Sequence, residues 1–345
     1  MLSLSKGNGA LIPANIRTCV EKRWGQYTSF NYRMPKKREE KTLKDIVETK
    51  QYGEYRFVTC EKHEATEGAI ARITLNRPEK LNALDLPGDG GIHDEFWAAL
   101  DEIANDDDVK VLIIRGAGRA FCSGFDLSRP YRVYQERDGV TGKERPSQRR
   151  RLNLDRQWTE DNQKVLLYPK ITIAQVHGHC IGEGSTLAEQ CDITIVADDA
   201  KISHAEQRLG FAGSGENLVP LFAMVGYKRA RAMVLLGESI TGKEAAEIGW
   251  ATKSVPPDKL EEEVNRIATS ITLLPRDGIS IGKASNHMIL DILGYTQGWA
   301  HAYITHTMVT NMKYAPGEFI WVKQREETGT KTSFHNRDKR FEELG

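Results

Sequence analysis

Short apolar runs rich in β-branched residues recur along the chain, with helical patterns between them. AIARITL (69–75), VKVLIIRG (109–116), ITIAQVHG (171–178) and CDITIVAD (191–198) read as strands, and a helix is expected near 91–105. Strands separated by helices predict an α/β layered core with mainly parallel pairing. After about Pro257 the pattern turns helical to roughly Met312, with EEEVNRIATSI as one amphipathic stretch. Between Arg129 and Arg156 the chain becomes polar, with Gly139, Gly142, Pro146 and the run Arg149, Arg150 and Arg151. That stretch is long for a connector and is expected to be a lid, a surface insertion or partly disordered. The chain divides accordingly into a basic N-terminal arm (1–55), a core (56–260) carrying the insertion 129–156, and a helical C-terminal region with a polar tail (261–345).

Composition narrows the function classes. Lys and Arg total 48 and Asp and Glu 48, giving a formal net charge of zero. No global field draws the chain to nucleic acid or to an anionic surface, so neither is expected as a partner. No apolar run approaches the roughly 18 residues of a membrane helix. The five cysteines (Cys19, Cys60, Cys122, Cys180, Cys191) are odd in number and lack CxxC spacing, which points to reduced intracellular thiols. A cytoplasmic location is expected. Because the first twenty residues lack any acid and are followed by Lys22, Arg23, Arg33, Lys36, Lys37 and Arg38, the mitochondrial matrix is the alternative.

The densest chemistry lies in HGHCIGEGSTLAEQ (177–190). A metal reading of His177, His179 and Cys180 is weak, since an extended segment sends the histidines to one side and the cysteine to the other. The lysine of a phosphate loop is missing, and no GxSxG surrounds Ser185 or Ser214. What remains is a turn. A strand ends at Val176, Gly178, Gly182 and Gly184 relax the backbone, and a helix begins near Ser185, so backbone N–H groups face outward to a ligand. Such donors suit a developing oxyanion. A hole of this kind takes two donors, and RAFCSGFDL (119–127) supplies a second turn, where Gly124 frees the N–H of Phe125 to point inward.

RITLNRPEKLNAL (72–84), VLIIRGAGRAFCSGFDLS (111–128), HGHCIGEGSTLAEQCDITIVADDAKI (177–202), the AExxLG of Ala205 to Gly210, and VGYKRARAMVLLGESITGKEAAEIGWATKSVPPDKL (225–260) together resemble the enoyl-CoA hydratase/isomerase (crotonase) superfamily. The similarity runs from about 69 to 270 in the family's motif order. It implies a crotonase-like spiral of ββα units, an acyl-CoA thioester substrate, and no cofactor other than the coenzyme A of that substrate. It also implies a helical C-terminal trimerisation region and a homotrimer or hexamer.

On the resemblance, Phe125 and Glu183 occupy the two oxyanion-hole positions. The second is commonly a glycine, and here it is the glutamate of GEG. Its side chain either points away from the thioester or places a carboxylate beside it. Typical hydratases of the family carry one glutamate three residues after that position and another at the PE/AE motif. Here Thr186 holds the first place and Glu206 the second. A carboxylate in an apolar, water-poor pocket can take up and return a proton near neutral pH, and one such group suffices for an allylic proton shuttle. Hydration requires that Glu183, Thr186 or Asp126 position a water. The bland alternatives are a Glu206 paired with His204 or Arg208, an Asp126 that caps the following turn, and a His93 that is a solvated helix residue. The resemblance also places Arg77 and Lys80 toward phosphates, backbone groups of Ala83 and Leu84 around pantetheine, and Asp126 and Leu127 beside the substrate. Phe319, Trp321 and Lys323 fall in a C-terminal element that reaches the adenine end.

The expected activity is hydration or isomerisation of an enoyl-CoA through a thioester enolate. Its rivals are hydrolysis of a C–C or thioester bond and a non-catalytic acyl-CoA- or RNA-binding role, the last suggested by the missing glutamate, the basic arm and Arg149 to Arg151.

Overall fold

The computed structural model describes residues 49–128, 135–137, 139–212, 216–309 and 312–342. Residues 1–48 of the basic arm and Ser214 lie outside them.

The strands predicted from the apolar runs form one seven-stranded sheet. Its order is β1 (Thr49–Gln51), β2 (Val58–Ala65), β3 (Gly68–Leu75), β4 (Val109–Gly116), β8 (Ile171–Val176), β10 (Ile193–Ala197) and β13 (Lys253–Val255). β1, β2 and β3 pair antiparallel, and every pairing from β3 onward is parallel. Parallel strands covered on both faces must be apolar almost throughout. β4 meets this with Val111, Leu112, Ile113 and Ile114 all buried.

A second sheet is made where the chain leaves the first. β4 leads into β5 (Ala120–Cys122), β8 into β9 (His179–Ile181) and β10 into β11 (Lys201–Ser203), and these second strands align in the order β12 (Ile240–Thr241), β11, β9, β5. Three successive turns of the chain thus repeat one move from sheet to sheet, as a spiral of ββα units requires. β6 (Gln135–Arg137) and β7 (Glu144–Pro146) form a separate antiparallel ribbon.

The helices are α1 (Ile92–Ala104), α2 (Gln148–Leu166), α3 (Glu183–Glu189), α4 (Val219–Val225), α5 (Tyr227–Leu236), α6 (Gly242–Glu247), α7 (Leu260–Thr272), α8 (Arg276–Ile292), α9 (Tyr295–Met308), α10 (Trp321–Thr328) and α11 (Thr330–Glu342). Two of these correct the sequence expectation. The polar stretch 129–156 is not a loop throughout, because Ser147 caps the Arg150 N–H and starts α2 there. Arg151 is buried and ion-paired with Asp155 at 3.2 Å, so the three arginines do not form one exposed basic patch. The polar tail is likewise helical: Trp321 is fully buried and anchors α10, whose Arg325 donates to the Leu127 carbonyl at 2.7 Å.

Candidate active site

The three parallel strand ends of the second sheet deliver the site. Cys122 on β5 is in register with Cys180 on β9, which is in register with Ile202 on β11. Three residues past that row come Phe125 and Glu183, the latter opening α3, and four residues past Ile202 comes Glu206, the first residue of a short 3-10 helix that follows β11. Strand pairing therefore places three residues side by side that are far apart in sequence.

Both candidate donors are free for a ligand. Leu84 bridges the Phe125 turn by donating to the Gly124 carbonyl at 2.8 Å and accepting from Asp126 N–H at 2.7 Å, which leaves the Phe125 N–H out of the ladder. Glu183 is the first residue of α3, so its N–H has no carbonyl one turn earlier to bond. Gly124 has φ +82°, and a Cβ there would sit 2.6 Å from the Ile181 carbonyl and 3.2 Å from the Glu183 nitrogen. The two turns touch at a position where only glycine fits.

Asn82 holds this arrangement from beneath, a role the sequence reading missed. It is fully buried with φ +56°, donates to the carbonyls of Ala117 (2.9 Å) and Ala120 (2.8 Å), and accepts from Arg77 N–H at 2.9 Å. The signal was available, because asparagine tolerates the left-handed region. Replacing Asn82 by Ala strands buried backbone carbonyls and is expected to cost about 2–4 kcal/mol. Thermal denaturation followed by circular dichroism checks this, and an unchanged melting temperature contradicts it.

Carboxylates crowd the floor of the site. Glu206 packs on Gly182 so closely that a Cβ there would lie 2.5 Å from its Oε1, and its Oε2 is buried without a hydrogen-bond partner. Neither proposed structural partner holds it: His204 Nε2 lies 2.8 Å from Glu189, and Arg208 donates to the Leu236 carbonyl. Glu183 is 2% exposed and inside the site, which rules out a surface position. Trp158 Nε1 donates to its Oε1 at 3.2 Å, while Oε2 has no hydrogen-bond partner. Burial outweighs the Trp158 hydrogen bond and pushes the Glu183 carboxyl up to about 8, with help from nearby Glu206. Glu216, outside the sequence candidates, is also buried and is pushed well up by desolvation and then by Glu206. Burial opposes a charge on His204, yet Glu189 beside it carries that imidazole up to about 10. Phe125 stacks edge-on against Trp158 at 4.1 Å between centroids, closing the site on the α2 side.

A model of the enoyl-CoA hydratase/isomerase family matches residues 65–290. The chain belongs to that family. It is 29% identical over 247 residues to a mitochondrial Delta(3,5)-Delta(2,4)-dienoyl-CoA isomerase of Dictyostelium discoideum, covering 68% of this chain and 80% of that protein. A peroxisomal Delta(3,5)-Delta(2,4)-dienoyl-CoA isomerase of Arabidopsis thaliana is 31% identical over 207 residues, 60% of this chain and 73% of the relative. Among solved structures, an enoyl-CoA hydratase/isomerase from Xanthobacter autotrophicus superposes with a TM-score of 0.69 at 32% identity, covering 83% of this chain and 99% of the other. An enoyl-CoA hydratase from Mycobacterium smegmatis gives 0.69 at 25% identity, covering 85% and 97%.

The other candidates of this family member fall outside the cluster of carboxylates. Thr186 is buried, with its hydroxyl turned back toward the Gly182 carbonyl at 3.5 Å. Asp126 accepts from Ser128 N–H, as a turn cap does, and its other oxygen pairs with Arg77 at 2.9 Å. Arg77 also donates to the Ala83 carbonyl, so it braces the turn, while Lys80 is exposed. Ala83 N–H donates to the Lys80 carbonyl, and the Leu84 backbone is engaged with Gly124 and Asp126. His93 corrects the expectation of a solvated residue: it is 2% exposed and accepts from Trp97 Nε1 at 2.8 Å. His177 contacts the Gly118 carbonyl, and Cys180 is buried with its thiol on Gly184, so the HGHC residues do not converge.

Proposed function

We propose that this protein isomerises a double bond in an enoyl- or dienoyl-CoA through a thioester enolate held by the Phe125 and Glu183 N–H groups, with Glu206 carrying the proton. The observation that carries the reading is the unpartnered oxygen Glu206 Oε2, on a side chain packed against the turn that presents the Glu183 donor. Thr186 and Asp126 are committed elsewhere, which leaves no carboxylate at the position where the family's hydratases hold their first one. The names borne by two relatives, dienoyl-CoA isomerases, agree with the same class. Hydration is the second reading, favoured by the unpartnered Glu183 Oε2. Coenzyme A enters as part of the substrate, with exposed Lys80 available to its phosphates. The cytoplasm or the mitochondrial matrix suits such chemistry, and no described helix is long and apolar enough to cross a membrane.

The Glu183 side chain has a consequence for pH. An ionised carboxylate beside the hole opposes the negative charge the hole stabilises, whereas the protonated form does not. Its folded pKa of about 8 stands above the unfolded 4.5, so the native state binds more protons between those values and the stability this group contributes is lost as pH rises from 4.5 through 8. Turnover is expected to fall as pH passes about 8, and Glu183→Gln is expected to flatten that descent and remove a stability loss on the order of a few kcal/mol. A variant whose pH–rate profile keeps the wild-type shape contradicts this.

A homotrimer belongs to the same proposal. Ile281, Met288, Ile289 and Ile292 of α8 are exposed, Ile292 at 84%, together with Ile304 and Met308 of α9. Contiguous apolar surface of this kind marks an interface. Light scattering is expected to give a trimer or a multiple of it, and Ile292→Glu to shift it toward monomer; a monomeric wild type contradicts the association.

A further inference from the structure

His204, Glu206 and Glu216 each bring one ligand-type atom within 4.8 Å of the other two. Acid clusters are common without an ion, so the decisive feature is the histidine. His204 is 1% exposed, and its Nε2 faces Glu189 Oε1 at 2.8 Å. Glu189 Oε1 also accepts the Trp250 indole N–H at 2.7 Å, which fixes the carboxylate and, through it, the ring. A ring nitrogen facing a carboxylate carries a proton, so the nitrogen left for other use is Nδ1. That atom is sealed from solvent and has no hydrogen-bond partner. If the ring is neutral, Nδ1 offers an unused lone pair; if it is charged, an N–H is buried without an acceptor. Either state is costly in a protein interior. Glu206 Oε2 is unpartnered in the same way.

We propose that His204 Nδ1, Glu206 and Glu216 bind a divalent cation of the zinc or manganese class, with Glu189 as the outer carboxylate that orients the histidine. One imidazole nitrogen and two carboxylates form a donor set that such ions accept, and three protein donors leave a coordination position open. A histidine ligand characteristically donates its other N–H to a carboxylate, which is the relation His204 has with Glu189. Two carboxylates also balance the double charge of the ion, easing the mutual repulsion of acids packed in a dry site.

The site shares Glu206 with the proposed proton carrier but stands on His204 and Glu216, so it does not depend on the isomerase reading. Cation and proton compete for Glu206, and occupancy is expected to lower isomerisation until a chelator restores it. The test is isothermal titration of chelator-treated, desalted protein with zinc chloride and with manganese chloride, in the absence of any acyl-CoA. The expected result is one ion per chain with at least one of the two metals, weakened at least tenfold by His204→Ala and by Glu216→Gln, and about 10–100-fold by Glu189→Gln. His179→Ala, a histidine outside the cluster, is expected to leave binding unchanged. Circular dichroism screens each variant for folding. If His204→Ala does not fold, the visible spectrum of cobalt(II) added to wild type reports nitrogen ligation directly, and it is expected to change on Glu216→Gln. No binding at millimolar metal, or equal binding by wild type and Glu216→Gln, overturns the proposal. An active isomerase that binds no ion removes this site alone, and an inactive protein that binds one leaves it standing.

Discussion

Glu206→Gln is expected to lower kcat by about 10²–10⁴-fold while the affinity for acyl-CoA stays within a factor of a few. The amide keeps the size and the packing of the side chain on Gly182 but cannot take up a proton. Removing a proton carrier leaves ground-state binding intact and takes away an interaction made in the transition state. The split between kcat and binding separates this from a structural loss, which would weaken both. Single-turnover kinetics together with an equilibrium titration of a non-reactive acyl-CoA measure the two quantities. Turnover within a few-fold of wild type would remove Glu206 from the mechanism.

Gly124→Ala is the second large effect. Gly124 holds φ +82°, and its missing Cβ is what lets the Phe125 turn approach Ile181 and the Glu183 nitrogen. A methyl placed 2.6 Å from a backbone carbonyl must move one turn away from the other. A displaced donor no longer meets the developing oxyanion, and loss of one such donor costs about 10²–10³-fold in rate. The strain also falls on stability, because alanine disfavours this backbone region. The expected signature is a kcat loss much larger than the change in melting temperature would account for at the assay temperature, measured by steady-state kinetics beside thermal denaturation. A variant with wild-type kcat would show that the two turns do not act together.

Much of this was legible before the structure. Short apolar runs located β3, β4, β8 and β10 because buried parallel strands leave few polar positions. Glycines next to strand ends marked both turns, and Phe125, Glu183 and Glu206 emerge side by side because three strands lie in register. Register itself is a tertiary fact, which is why Glu216 was missed: it lies in no strand or helix, and nothing in GSGEN signals that its carboxylate folds back toward His204. His93 was misread because a helix N-terminal turn usually faces water, whereas here Trp97 and the α1 core face enclose it. The α2 helix escaped detection since its polar sequence buries only a few residues, among them Arg151, Asp155 and Trp158, and charged residues in a core carry no periodic apolar signal. Within the polar tail, α10 and α11 were hidden for the same reason, with Trp321 as their main buried anchor.

The central claim is that one proton moves between carbons of a thioester enolate and no water is added. Incubating the purified protein with a panel of 2-enoyl- and 3-enoyl-CoA thioesters in deuterated water, with products followed by mass spectrometry, tests it most directly. The account predicts deuterium exchanged into an isomerised product of otherwise unchanged composition. A product heavier by a molecule of water, or no isomerised product from any member of the panel, would contradict it.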